Sequence, residues 1–162
     1  MTKEEIYKLL NEESVPYEIV EHEAVYNMKD VKEKAIPIKG LEAKNLFLCD
    51  DKKNNYYLLI ICGDKRVNLK DFRKKYNTRS LSFATEQDLF NIMKLTKGSV
   101  TPLGLLNDKE LKVILYIDEN FIGENNTIGV HPNNNTATIW LKVNDLIRII
   151  KKHGNIVNIV KL

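Results

Sequence analysis

Cysteine is scarce in this chain. Only Cys49 and Cys62 occur among 162 residues. Both lie within apolar runs that read as strands, where they suit small buried hydrophobes better than a disulfide framework. A reducing compartment is the expectation. Long apolar stretches are missing as well: nothing approaches the roughly 20 residues that span a bilayer. The opening Met-Thr-Lys-Glu-Glu has no apolar segment of signal-peptide type behind it. Secretion and membrane insertion are not expected, and a cytoplasmic location is. The Asn-x-Thr triplets at Asn125 and Asn134 therefore carry little weight as glycan acceptors. An excess of one charge is also lacking, since 25 Lys and Arg against 22 Asp and Glu leave a net +3. Composition alone does not announce a nucleic-acid binder.

Several catalytic signatures are absent too. There is no Gly-x-Ser-x-Gly elbow, no phosphate loop ending in Gly-Lys-Ser/Thr, no Gly-x-Gly-x-x-Gly and no Cys-x-x-Cys. Nucleotide hydrolysis and dinucleotide redox chemistry lose their usual supports. His22, His131 and His153 are far apart, without the paired spacing of a helical zinc site. Neither a metal nor a cofactor is expected.

What is present suits one globular domain over residues 1–162, with 43% apolar composition to build a core. Thr2 and Glu5 form a capping-box pattern ahead of Ile6, Leu9 and Leu10, a first helix that Pro16 stops. Tyr17 to Val20 reads as a strand. Val31 and Ala35 suggest a short helix ending before Pro37, with Gly40 closing the turn. Lys44 to Cys49 and Tyr56 to Cys62 read as adjacent antiparallel strands, joined by a polar hairpin loop, Asp50 to Asn55. Asn68 caps a helix through about Tyr76, and Thr85 with Asp88 starts another carrying Leu89, Ile92 and Met93. Further strands are expected at Leu81 to Phe83, Leu111 to Ile117, near Phe121 and Ile122, at Thr136 to Leu141 and at Ile156 to Val160. A last helix, from about Asn144 to His153, turns Leu146, Ile149 and Ile150 inward and ends at Gly154. Without a regular βαβ alternation, the fold class is α+β, with a mixed, mainly antiparallel sheet flanked by short helices.

Three loops stand out, each pairing small or backbone-permissive residues with a polar group. They are Gly40-Leu41-Glu42-Ala43-Lys44-Asn45-Leu46-Phe47-Leu48, Gly98-Ser99-Val100-Thr101-Pro102-Leu103-Gly104-Leu105, and Gly129-Val130-His131-Pro132 continuing to Ile139. At these stretches, in this order, the sequence resembles the YbaK/ProX family of aminoacyl-tRNA editing domains, most closely its free-standing alanyl-tRNA(Pro) deacylases. Arg79-Ser80-Leu81-Ser82-Phe83-Ala84 and the following helix share the likeness. The resemblance departs at His22-Glu23 and Asn27, where the family has His-Pro and a Thr or Ser, so no role is carried onto His22.

The resemblance implies hydrolysis of a mischarged alanyl-tRNA(Pro), correcting prolyl-tRNA synthetase, itself a possible partner. Cysteinyl-tRNA(Pro), another small mischarged amino acid, or a non-catalytic tRNA-sensing module are the alternatives. Lys44 is the implied functional residue: an ammonium in a cleft can hold a terminal phosphate or the ester carbonyl of aminoacyl-adenosine. Asn45 beside it is implied in substrate binding. Gly129 would let backbone N–H groups approach the substrate and supply an oxyanion donor, and His131 would position water or the ribose hydroxyl. The alternative for His131 is a loop histidine bonded to local backbone. Ser99, Thr101 and Pro102 are implied as pocket wall for a small amino acid, or simply as a tight connection. A second, size-excluding site answers a chemical problem, because a methylene or two is worth only ~1–3 kcal/mol of discrimination in the synthetase.

One segment is strongly basic. Lys65, Arg66, Lys70, Arg73, Lys74 and Arg79 cluster with Lys75, and Asp71 is the acid among them. Such a face could meet acceptor-stem phosphates, the bland alternative being a solvated helix.

Overall fold

The computed structural model describes all 162 residues apart from the side chain of Met28. Helix α1 (Lys3–Glu12) starts at the expected box, with Thr2 and Glu5 capping each other's backbone, and buries Ile6 and Leu10. Strand β1 (Tyr17–Glu21) follows. Helix α2 (Met28–Glu33) begins earlier than the apolar spacing suggests, because the Asn27 side chain accepts from Asp30 N–H and nucleates the turn.

Strands β2 (Ala43–Asp50) and β3 (Tyr56–Cys62) form the expected hairpin, with Ala43 opposite Cys62 and Cys49 opposite Tyr56. Short β4 (Leu81–Phe83) pairs with only the last three residues of β2. On the far side, β5 (Val113–Asp118) runs parallel to β3, and β8 (Val157–Val160) parallel to β5. The order is β4-β2-β3-β5-β8. A second, three-stranded antiparallel sheet sets β7 (Ala137–Lys142) between β1 and β6 (Thr127–Val130). The single expected sheet is thus two, one mixed and one wholly antiparallel.

The strand expected near Phe121 and Ile122 is instead a 3-10 turn, Glu119–Phe121. The Asp118 side chain accepts from Asn120 N–H and bends the chain, driving Phe121 fully into the core. A second 3-10 helix, Pro102–Asn107, is capped by Thr101. Helices α3 (Leu69–Tyr76), α4 (Glu86–Met93) and α5 (Val143–His153) lie where their caps and apolar faces predicted.

Central strand β3 is buried on both faces, which accounts for its unbroken apolar run. Tyr56, Leu58 and Ile60 join the main core with residues from both sheets, α1 and α5, whereas Tyr57 and Leu59 pack under Phe72 of α3. Each such aliphatic side chain contributes roughly 1.5–3 kcal/mol. Among the described residues, no helix is long and apolar enough to cross a membrane.

Candidate functional site

Strand β2 has one continuous neighbour and one interrupted neighbour. On the β3 side, Glu42 C=O accepts from Gly63 N–H (2.8 Å) and Asp50 N–H donates to Asn55 C=O (3.1 Å), so even-numbered residues turn their backbone groups to β3. Odd-numbered residues face the other way. There Leu41 donates to Thr127 C=O (2.9 Å) and accepts from Gly129 N–H (3.3 Å), while Phe47 C=O accepts from Ala84 N–H (3.0 Å). Strand β6 therefore docks at Leu41 and the β4 edge at Phe47. Between them, the backbone groups of Ala43 and Asn45 face a gap with no strand across it.

A cleft of about 540 Å³ occupies this gap. Ala43, Lys44, Asn45 and Leu46 form its floor; Tyr26, Asn27 and Lys29 form one wall, and Gly98, Val100 and His131 another. No ion pair or hydrogen bond among the described residues engages the half-buried Lys44 ammonium. Asn45 donates its side-chain N–H to Val100 C=O (3.2 Å), and its Oδ1 is buried without a partner. Gly98 sits at φ +90°, and a β-carbon there would lie 2.4 Å from the Tyr26 ring. Only glycine lets that aromatic close over the loop.

A smaller recess of about 90 Å³ adjoins the cleft, sharing Val31, Ala43, Asn45 and His131 with it. Ile36, Ile38, Gly129 and Trp140 form much of the rest of its wall, and Glu42 and Thr138 are its polar members beside Asn45 and His131. Gly129 is needed for space, because a β-carbon would come within 2.7 Å of the Trp140 ring. Its N–H is already donated to Leu41, which leaves the oxyanion role expected of it to a different donor.

His131 is anchored to the fold through Nδ1, which lies 2.9 Å from Ala137 C=O and is therefore the protonated, donating nitrogen. Burial, with a smaller contribution from His22, pushes its pKa below the ordinary imidazole range, against the Ala137 bond. It is a neutral imidazole at pH 7. His22 stands 6.3 Å away, ring to ring, with Nε2 at 2.8 Å from Thr138 Oγ1.

The middle loop meets the cleft through Gly98 and Val100. Ser99, Thr101 and Pro102 are buried behind that surface. Thr101 Oγ1 donates to His131 C=O (2.7 Å) and accepts from Leu103 N–H (3.3 Å), tying the two loops together. Lys44 and His131 thus line the cleft with Asn45, and Gly129 lines only the adjoining recess, whereas these three stand one layer back.

The basic residues do not form one surface. Lys65 pairs with the fully buried Asp118 (2.5 Å), and Arg79 forks onto Asp51 at 2.6 and 2.9 Å. Arg66, Lys70, Arg73 and Lys74 lie toward solvent, and the last three border a groove with Asn77, Thr78 and Ser80. That groove shares no residue with the cleft. Tyr26, Asn27 and Lys29 carry no site signal in the sequence, because their segment is where the family pattern lapses. Asp64 at the cleft edge has none beyond its place beside the basic run.

The family model for the aminoacyl-tRNA editing domain matches residues 22–149, a span containing every residue of both cavities. The chain belongs to this family. As an aminoacyl-tRNA editing domain it is an aminoacyl-tRNA deacylase, an ester hydrolase. It is 36% identical to the prolyl-tRNA editing protein ProX of Acetoanaerobium sticklandii over 160 residues, covering 99% of this chain and 97% of that one. It is 33% identical to prolyl-tRNA synthetase associated domain-containing protein 1 of Mus musculus, covering 93% and 90%. The fold of the editing domain recurs in the crystal structure of a hypothetical protein at 13% identity and a TM-score of 0.68, covering 96% and 97%.

Proposed function

We propose that this editing domain clears mischarged tRNA(Pro) in trans, with alanyl-tRNA(Pro) as its substrate, in the cytoplasm alongside prolyl-tRNA synthetase. The observation that carries this reading is an unpaired Lys44 ammonium in a cleft that narrows into a recess of about 90 Å³. The cleft takes the terminal adenosine and the recess takes the amino-acid side chain. A small side chain enters it against Ile36, Ile38 and Trp140, and discrimination against the pyrrolidine ring of proline is part of this proposal.

In hydrolysis, water adds to the ester carbonyl carbon, the bond to the ribose oxygen breaks, and that oxygen takes a proton. Free alanine and deacylated tRNA result. Lys44 orients the substrate and offsets charge developing on the carbonyl oxygen. Neutral His131 holds the ribose hydroxyl or the water, and the vicinal hydroxyl of the substrate helps activate that water. Arg66, Lys70, Arg73 and Lys74 receive acceptor-stem phosphates.

Purified protein should release alanine from alanyl-tRNA(Pro) and spare prolyl-tRNA(Pro). Lys44→Ala should cut kcat/KM by ~10²–10³, the usual loss for one preorganised charge-stabilising donor. Binding without turnover, or equal release of proline, would overturn the reading. A cysteinyl-tRNA(Pro) arm decides which small side chain the recess prefers.

A further inference from the structure

The gap in the β2 edge holds a second kind of recognition, independent of side chains. Odd-numbered residues of β2 turn their N–H and C=O away from β3, as the Leu41 and Phe47 hydrogen bonds establish. Asn45, like Ala43, lies between the two docked strands and lines both the cleft and the recess. Its backbone N–H and C=O therefore point into the cavity as an unpaired donor and acceptor, which a fold tolerates poorly unless water or a ligand meets them. Between Leu41 and Phe47 the gap-facing residues of β2 are Ala43 and Asn45, and no strand of this chain pairs with them. A single amino-acid unit is enough to meet the backbone groups of one of them.

We infer that the aminoacyl group of the substrate binds as a one-residue antiparallel strand opposite Asn45. In a hydrogen-bonded antiparallel pair, two facing residues exchange both N–H···O bonds. The substrate ammonium donates to Asn45 C=O, and the ester carbonyl accepts from Asn45 N–H. Facing residues in such a pair send their side chains to the same face of the sheet. The face of Asn45 is the one shared by Ala43, and both line the small recess; of the even-numbered neighbours Glu42 reaches it and Lys44 does not. The register thus sends an L-side chain into the recess and leaves Lys44 free for the adenosine side of the ester. A D-aminoacyl group making the same two bonds would turn its side chain away from the recess. Recognition of the main chain in this way explains how the site holds alanine, which offers little else to grip.

This inference rests on the proposed deacylase reading, and the test separates the two. The probe is 3′-(L-alanylamino)-3′-deoxyadenosine, an amide that resists hydrolysis, added to the full ¹⁵N-labelled chain. The Asn45 amide resonance should shift and its hydrogen exchange slow, and the D-alanyl compound should bind at least ~10-fold more weakly. Movement of Lys44, Val100 and His131 resonances with the Asn45 amide unchanged, or equal affinity for the two enantiomers, overturns the inference and leaves the deacylase reading intact. No response in the cleft overturns the inference as well, and with no alanine released from alanyl-tRNA(Pro) the deacylase reading falls too. As a second measure, Asn45→Ala keeps both backbone groups, and Asn45→Pro removes the N–H at an edge position where proline is tolerated. The proline variant should bind the L-probe roughly 3- to 10-fold more weakly than the alanine variant, the range of one neutral hydrogen bond. Equal affinities would count against the inference.

Discussion

Gly129 and Trp140 face each other across the β6–β7 ladder, and the indole lies over the glycine where a side chain would otherwise stand. The two residues together close one end of the recess. Gly129→Ala should displace the ring, because its new β-carbon would meet indole carbons at 2.7–2.9 Å. A stability loss of ~1–3 kcal/mol, typical of overpacking, is expected in urea unfolding. Trp140 is the one tryptophan in the chain, so its emission spectrum reports the shift directly. An unchanged spectrum together with full deacylase activity would contradict this view of the recess.

Thr101 acts on the site through His131. Its hydroxyl is fully buried and donates to the His131 carbonyl. Thr101→Val keeps the shape and removes the donor, leaving that carbonyl unsatisfied at a cost of about 1–3 kcal/mol. Loss of stability should come with a changed kcat, since the loop that carries the imidazole loosens. Thr101→Ser should restore both, which thermal melts and single-turnover deacylation would register.

The buried imidazole of His131 sets a limb of the pH–stability curve. Its folded pKa lies below the unfolded value of about 6.5. The unfolded chain therefore takes up the proton first, and stability present above pH ~6.5 is lost as the pH falls below that value. His131→Gln, which cannot titrate, should flatten this part of the curve in urea titrations between neutral and mildly acidic pH. An identical slope in the variant would refute the assignment.

Phosphate binding reveals itself through salt. Replacing Lys70, Arg73 and Lys74 with glutamine should weaken binding of the tRNA and reduce the slope of log K against log salt by ~0.9 for each phosphate no longer neutralised. Hydrolysis of alanyl-adenosine, which has no acceptor stem, should be unchanged. Lys65→Gln and Arg79→Gln should instead lower stability, because their partners Asp118 and Asp51 are left without a cation. The decrease is expected to be larger for Lys65, whose partner is fully buried.

The elements legible in the chain are those with local causes. Thr2, Asn68 and Thr85 each accept the backbone N–H that starts a helix, and the apolar run from Tyr56 suits a strand covered on both faces. Phe121 departs from the strand expected of it because apolar content alone cannot distinguish a strand from a buried turn, and the deciding contact, Asp118 to Asn120 N–H, competes with the ladder. Lys44, Gly129 and His131 can be picked out by their loops, but not the distance between them.

The order of residues along the chain settled the caps and the β2–β3 hairpin, since each depends on neighbours within a few positions, whereas the need for glycine at position 129 comes from Trp140 on the neighbouring strand. The gap at Asn45 belongs to the assembled fold. It exists because β6 and β4, from distant parts of the chain, stop short of each other on one edge of β2. Which backbone groups stay unpaired is a matter of where separate strands end in space, and hydrogen-bond direction along a strand becomes visible only once its partners are in place.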